Sequence, residues 1–174
     1  MQYFRELVNN GDIGSIRSLI QQHQTTKTSL NFEQLLSASY DCDQISITRE
    51  LLESRVANPN LSASSEGPLL LQTVWDNQPK YTKLLLENGA DPNQGDKNGI
   101  TPLMVACVAA DVQLVRQLLL VQANVNQVSQ IGTDAVYYLV STGCDIEKRV
   151  AIAKILSKRI ADTRRIDEYL NRHP

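Results

Sequence analysis

Little in this sequence points to cross-links or metal ligands. It has three cysteines, Cys42, Cys107 and Cys144, which are odd in number and widely separated. They show no Cys-x-x-Cys spacing and have no histidine nearby. This pattern excludes a disulfide framework and a zinc site of the usual spacing. We therefore expect reduced thiols, no metal and no other cofactor.

Long apolar runs are also missing. The N-terminal segment carries the charged residues Arg5, Glu6, Asp12 and Arg17, so it is unlike a signal peptide or a membrane anchor. We expect a cytoplasmic protein without membrane insertion. If the chain is a bacterial effector, we expect a dedicated export system to deliver it into a host cell.

The net charge is small, at −2, with a pI near 5.7. Such a chain has no global attraction to nucleic acids or anionic membranes, so nucleic acid is not expected as its main partner. The average hides an asymmetry, because the segment from Lys148 to the end carries about +5 and the rest about −7. Binding to an acidic surface through this basic end is therefore an alternative.

Aromatic residues are few, at 5% of the sequence against 42% apolar residues. Leucine, isoleucine, valine and alanine must then fill the interior, which suits closely packed short helices better than a β-sandwich. We predict an all-α fold.

Groups that could perform catalysis are also scarce. His23 lies in a polar stretch, His173 is the penultimate residue, and neither lies near a cysteine in the repeat described below. Asp41 and Asp43 fall at a predicted turn, where aspartate is favoured for local hydrogen bonds. We expect no enzymatic activity and no small-molecule substrate.

What the sequence does contain is an internal repeat with a period of 33 residues. Similar tetrapeptides begin at Ala57, Ala90 and Ala123, each a few residues after a leucine doublet or triplet. The stretch from Gly11 to Ile20 also matches the stretch from Ala110 to Leu119, three periods away. A period of this length is typical of a solenoid of stacked units.

Within each period, helical spacing of apolar residues occurs twice, with a break between. In the fourth unit Thr101 is a candidate N-cap, Pro102 suits the first helical turn, and Ala110-Asp111 forms the break. The sequence therefore predicts helix hairpins, with helix pairs starting near Gln2, Phe32, Pro68, Pro102 and Thr133.

Two segments carry a resemblance to a known family. Asp96 to Met104 resembles the ankyrin signature of a turn followed by Thr-Pro-Leu-His, and Leu84 to Asn93 resembles its Leu-Leu-Leu-x-x-Gly-Ala-Asp-x-Asn ending. The resemblance implies an ankyrin-repeat solenoid of about five helix-hairpin repeats with projecting β-turn loops. We place the repeats at residues 1–30, 31–63, 64–96, 97–129 and 130–161 of one domain, followed by a short C-terminal capping helix at 162–174.

The sequence departs from the family pattern in several places. Met104 replaces the usual histidine, and Val56 stands where glycine is usual, which puts a positive-φ turn there in doubt. The polar stretch from His23 to Leu30 predicts an irregular loop. About four extra residues after Gly143 predict a longer loop between the helices of the fifth unit.

The resemblance implies that the chain binds another protein on a concave surface, made of turn loops and first helices. We expect a chain that is monomeric alone and serves as an adaptor, effector or inhibitor. The alternative is binding of an acidic surface, either nucleic acid or membrane, through the basic C-terminal end. Steep loss of binding with salt would favour that alternative.

Trp75 is the leading candidate for a partner contact. The repeat places Val74 and Trp75 where the fourth unit has Val108 and Ala109, at the end of a first helix, where ankyrin proteins vary with their partner. A buried tryptophan often dominates an interface, although Trp75 could instead pack on the neighbouring repeat as core. The rest of the predicted surface consists of Asn77, Ser64, Lys97, Asn98, Ile100, Ala109, Ile131 and Thr142.

Overall fold

Paired antiparallel helices make up most of the protein. The computed structural model describes residues 2–26, 30–64, 67–141, 145–160 and 162–173. We number the helix pairs as units 1 to 5, and a single helix follows unit 5. The pairs are α1 Gln2–Asn9 with α2 Ile13–Thr26, α3 Phe32–Asp41 with α4 Ile45–Glu53, α5 Leu69–Trp75 with α6 Pro79–Glu87, α7 Pro102–Val108 with α8 Val112–Leu120, and α9 Ala135–Ser141 with α10 Ile146–Leu156, before α11 Arg164–Arg172.

Regular β-structure in the described residues is limited to one short hairpin. Its strands are β1 Ser62–Ser64 and β2 Gly67–Pro68, which pair in antiparallel fashion just before α5. The mainly helical architecture confirms the all-α prediction.

The helices begin where short polar side chains satisfy their first amides. The Asn31 Oδ1 accepts from the Gln34 amide at 3.0 Å at the start of α3. The Asp111 Oδ1 accepts from the amides of Gln113 and Leu114 at 2.9 and 3.0 Å at the start of α8. These bonds occupy donors that have no partner inside the helix.

Among the described residues, each turn between paired helices has one residue with positive φ. These residues are Gly11, Asp43, Asn77, Ala110 and Asp145, with φ between 50 and 63°. Apart from glycine and asparagine or aspartate, such backbone is unusual. Ala110 adopts it because the turn is held by a bond from the Asp111 amide to the Ala106 carbonyl at 3.1 Å.

Asparagine side chains join consecutive units. The Asn60 Oδ1 accepts from the Asp91 amide at 2.7 Å, and the Asn93 Oδ1 accepts from the Asn124 amide at 2.6 Å. Asn60 and Asn93 hold the same place in the repeated tetrapeptides. The repeated asparagine therefore makes the same contact between successive units.

The core runs through the stack as two large apolar clusters. One contains buried residues of units 1 to 3 and the other those of units 4 and 5, and the partly buried Leu86 packs against both. Ile166 of α11 is fully buried, with Tyr169 and Leu170 packed against the second cluster. The helix predicted to cap the C-terminal end is therefore present and covers the core there.

The predicted helix starts agree with the structure to within two residues, but the loop predicted from His23 to Leu30 is helical as far as Thr26, and residues 27–29 lie outside the described residues. Residues from His23 to Thr26 belong to α2, because the His23 ring packs edge-on against Phe32, with centroids 5.0 Å apart. The interval between α9 and α10 is only one residue longer than that between α7 and α8, and α10 is instead the longer helix. Gly143 and its neighbours at 142–144 lie outside the described residues.

The departure at Val56 also has a structural explanation. The positive φ after α4 occurs at Arg55, at 55°, which is the second residue after its helix, as Gly89 is after α6. Val56 is then an extra residue between this turn and Ala57, and the turn forms without glycine.

Candidate functional site

A groove of about 770 Å³ crosses the turns between the helices of units 3 and 4. We call it the Trp75 groove. It includes four of the residues predicted from the sequence, namely Trp75, Val74, Asn77 and Ala109. Its other lining residues are Val105, Val108, Ala110, Asp111, Val112, Gln113, Leu114 and Lys148.

Trp75 is the sole tryptophan of the sequence, and 56% of its surface is exposed. It is the last residue of α5. The alternative of a core tryptophan does not fit this exposure. The role of Trp75 as a partner contact stays a prediction.

Val74 forms part of the floor beneath Trp75. It is only 6% exposed and belongs to a small buried cluster with Leu71 and Val105, against which Leu114 packs. This cluster gives the groove an apolar floor that is already packed in the free chain. Val74 itself therefore supports the surface from below, whereas Trp75, Asn77 and Ala109 are exposed.

The register predicted for Trp75 is wrong by one residue. The Asp76 amide donates to Gln72 O at 2.9 Å, and the Ala109 amide donates to Val105 O at the same distance. These bonds pair Trp75 with Val108, not with Ala109. The error came from aligning Pro68 with Pro102. Pro68 precedes its helix, whereas Pro102 is the first residue of its own.

The predicted fingertip residues form a second exposed region. Lys97 and Asn98 are exposed, and Ile131, in the next finger, is 81% exposed. The two fingers are joined by a bond from the Gln130 amide to the Asn98 carbonyl at 2.8 Å. Ile100 is half-buried at the base of its finger, where its amide donates to the Asp96 Oδ1 at 2.8 Å.

Two further predicted residues add little to this description. Ser64 lies in β1, whose backbone pairs with β2. Thr142 lies outside the described residues. The fingertips and the Trp75 groove lie at opposite ends of the first helices, and α7, with seven residues, separates them by roughly 10 Å.

Paired tyrosines and aspartates hold the turns of units 2 and 3 together. The Tyr40 hydroxyl donates to the Asp76 Oδ2 at 2.6 Å, and the Tyr81 hydroxyl donates to the Asp43 Oδ1 at 3.0 Å. The two rings meet edge to face with centroids 5.1 Å apart. Burial, followed by these hydrogen bonds to carboxylates, raises the pKa of both tyrosines.

Much of the basic C-terminal segment is used inside the protein. Arg149 is 1% exposed and donates to the carbonyls of Leu139 and Val108, the latter at 3.0 Å. Arg159 donates to Leu119 O at 2.9 Å. Arg164 pairs with Asp162, and this guanidinium lowers the pKa of the Asp162 carboxyl to about 2. Arg165 pairs with Asp134.

The cysteines show no sign of a reactive site in the described part of the chain. Cys107 is fully buried, and burial raises the pKa of its thiol to about 12. The Cys42 thiol lies 3.0 Å from the Asn9 Oδ1. Within the described ranges, no cluster of three or more His, Cys, Asp or Glu side chains is placed to hold a metal ion, and no helix has the length and apolarity to cross a membrane.

Sequence reasoning missed several residues of the groove, among them Val108, Asp111, Gln113 and Lys148. The sequence alone could have identified two of these residues. Asp111 belongs to the predicted turn and Gln113 lies two residues after it. In a stack, this turn lies next to the turn that follows Trp75 in the preceding unit. Lys148 belongs to unit 5, and only the folded chain brings it to the groove.

Comparison with known families agrees with the stacked helix pairs. The family model described as ankyrin repeats (3 copies) matches residues 69–167. The match begins at the first residue of α5 and ends within α11, and it covers more than half of the sequence. The chain therefore belongs to the ankyrin-repeat family.

Proposed function

We propose that this chain binds a partner protein on a surface that contains the Trp75 groove and extends to the fingertips. The observation that carries the proposal is Trp75 itself, more than half exposed beside a groove with an apolar floor. Ankyrin repeats are in general protein–protein interaction modules and are typically not enzymes.

The physical argument starts from the cost of exposing an indole. Trp75 presents a large apolar ring to water, and covering it would release that surface from hydration. Residues of this type, set in preformed pockets, often supply most of the affinity of an interface. Because Val74 and Val105 are already packed beneath it, a partner would not need to order the floor.

The fingertips extend the proposed surface. Ile131 is 81% exposed, and Lys97 and Asn98 lie in the neighbouring finger. A partner that covered both regions would span the length of α7. Such a span fits an interface of ordinary size better than contact with the groove alone.

The alternative function, binding of an acidic surface by the basic C-terminal end, has weaker support. Arg149 is buried, and Arg159 and Arg165 are bonded to the carbonyl of Leu119 and the carboxylate of Asp134. These cations contribute to folding contacts before any partner is present. We do not extend the proposal to nucleic acid or membranes.

The test compares two exposed apolar residues. Wild-type protein, Trp75→Ala and Leu120→Ala would each be used to capture partners from a native lysate, and the captured protein would then be purified for titration calorimetry. Leu120 is 78% exposed at the end of α8, outside the groove, and serves as the control. We expect Trp75→Ala to weaken binding by roughly 30-fold or more and Leu120→Ala to leave it unchanged. The reverse pattern would overturn the proposal.

A further inference from the structure

We propose that the partner segment occupying the Trp75 groove is basic, a stretch of polypeptide that carries arginine or lysine next to an apolar side chain. This inference rests on the proposed function and adds the chemistry of the partner. Its basis is the combination of an exposed indole, an apolar floor and carboxylates on the same edge of the stack.

The edge of the stack that contains the groove is rich in carboxylates. The turns between paired helices carry Asp12, Asp43, Asp76, Asp111 and Asp145, and Asp41 stands at the end of α3 beside its turn. Of these, Asp111 lines the groove and Asp76 follows Trp75 directly. Asp41 is the last residue of α3, as Trp75 is of α5, so it lies at the same position one unit earlier.

Hydrogen bonds hold several of these carboxylates in place. Asp76 and Asp43 accept from the hydroxyls of Tyr40 and Tyr81 at 2.6 and 3.0 Å, and Asp111 accepts from two helix amides. The negative charge at this edge is therefore fixed in position by the fold.

The lysines near the starts of the second helices leave most of this charge uncompensated. Lys148 lines the groove, but its Nζ lies 2.7 Å from the Asp145 Oδ2. Lys80 lines a separate cleft on the second helices, with Arg49 and Glu87. Beside this ion pair stand Asp111, which lines the groove, Asp76, which follows Trp75 in the chain, and Asp41, which holds the position of Trp75 one unit earlier.

Each feature of the groove selects for the same kind of occupant. The face of an indole attracts cations, and arginine most often. Carboxylates at the rim attract the same groups over about a Debye length and repel acidic segments. The floor made by Val74 and Val105 takes an apolar side chain. Nucleic acids and anionic membranes would meet repulsion, which leaves a basic protein segment.

The first experiment measures the charge around Trp75 without any partner. Because Trp75 is the sole tryptophan, its fluorescence reports on the groove alone. We expect caesium to quench it more strongly than iodide, relative to N-acetyltryptophanamide at the same ionic strength. Asp41→Asn combined with Asp76→Asn should remove this preference. Stronger quenching by iodide than by caesium in the wild-type protein, on the same scale relative to N-acetyltryptophanamide, would overturn the proposal.

The second experiment identifies the preferred occupant. A displayed library of random 12-residue peptides would be selected on wild-type protein and depleted on Trp75→Ala, and recovered peptides would be titrated by fluorescence anisotropy. We expect recovered peptides to be enriched in arginine or lysine beside apolar residues. The Asp41→Asn, Asp76→Asn double variant should weaken them by about 3- to 10-fold.

The matched control is Glu53→Gln combined with Glu87→Gln, which removes the same charge from the ends of α4 and α6 and should change affinity less than about twofold. Neutral or acidic peptides that depend on Trp75 would overturn the basic occupant and leave the proposed function standing. If depletion on Trp75→Ala removes every peptide that binds the wild-type protein, the proposed function is contradicted. A library that yields no binding peptide would count against a segment-binding groove.

Discussion

Asp41 and Trp75 hold the same position in consecutive units, each as the last residue of the first helix. In unit 4 this position is Val108, which is half-buried and lines the groove beside Trp75. The position therefore changes from acidic to aromatic to aliphatic along the stack, whereas the backbone around it repeats. Such variation on a constant scaffold is how a repeat protein builds a particular surface.

Trp75→Ala should barely change stability. Because Trp75 is 56% exposed, we expect the free energy of unfolding to fall by less than about 1 kcal/mol. Leu71→Ala, in the buried cluster below the groove, should cost about 2 to 5 kcal/mol. Urea titrations followed by circular dichroism would measure both. A loss for Trp75→Ala as large as that for Leu71→Ala would mean that the indole is part of the core.

Neighbouring residues of α8 should differ sharply in their effect on stability. Leu118 is fully buried, so Leu118→Ala leaves a cavity and should cost about 2 to 5 kcal/mol. Gln117 is exposed, and Gln117→Ala should cost under about 0.5 kcal/mol. Equal shifts of the denaturation midpoint for both variants would show that the helical register of α8 is wrong.

The buried Arg149 should be a strong determinant of stability. Arg149→Met removes the donors to the carbonyls of Leu139 and Val108 and should cost about 2 to 4 kcal/mol, because a buried carbonyl without a donor is expensive. Lys148→Met, at the adjacent exposed position, should cost less than about 0.5 kcal/mol. Thermal unfolding of the two variants side by side checks this. Similar melting temperatures would contradict the role assigned to Arg149.

Stability should fall in alkaline solution, in part because of Cys107. Burial raises the pKa of its thiol from 9.0 to about 12. Between these values the thiol ionises in the unfolded chain but stays protonated in the folded chain, so the free energy of unfolding decreases as pH rises. Tyr40 and Tyr81, whose pKa values burial also raises, act in the same direction.

The measurement is a series of urea titrations from pH 8 to about pH 11, close to the raised pKa of the thiol. Cys107→Ala should show a shallower decline than the wild-type protein, since it lacks the thiol. Identical slopes for the two proteins would show that Cys107 is not the buried group described here.

The repeat and most helix starts could be predicted from the sequence because they depend on local spacing. Leucine stripes, Thr101 and Pro102 at the start of α7, and the recurring asparagines each act within one unit or between neighbours. The capping helix followed from Ile166, Tyr169 and Leu170 by the same reasoning.

Contacts between distant parts of the chain could not be predicted in this way. The polar residues at the end of α2 suggested a loop, but Thr25 and Thr26 bond to backbone carbonyls one turn earlier and His23 packs on Phe32. The basic C-terminal segment suggested an exposed surface, although Arg149 is buried against unit 4. Spacing predicts which apolar faces are buried, but it does not indicate that a charged side chain such as Arg149 is covered by a neighbouring unit.

The measurement that tests the central claim most directly is the fluorescence of Trp75 during binding. No other residue of this chain contributes tryptophan emission, so the signal reports on Trp75 alone. It would be recorded as the purified partner is added, with Leu120→Ala as the control protein. A partner without tryptophan, or one with its tryptophans replaced by phenylalanine, keeps the signal specific. We predict that emission shifts to shorter wavelength and becomes protected from acrylamide at saturation. Saturated binding with unchanged emission and unchanged quenching would contradict the assignment of the Trp75 groove as the binding surface.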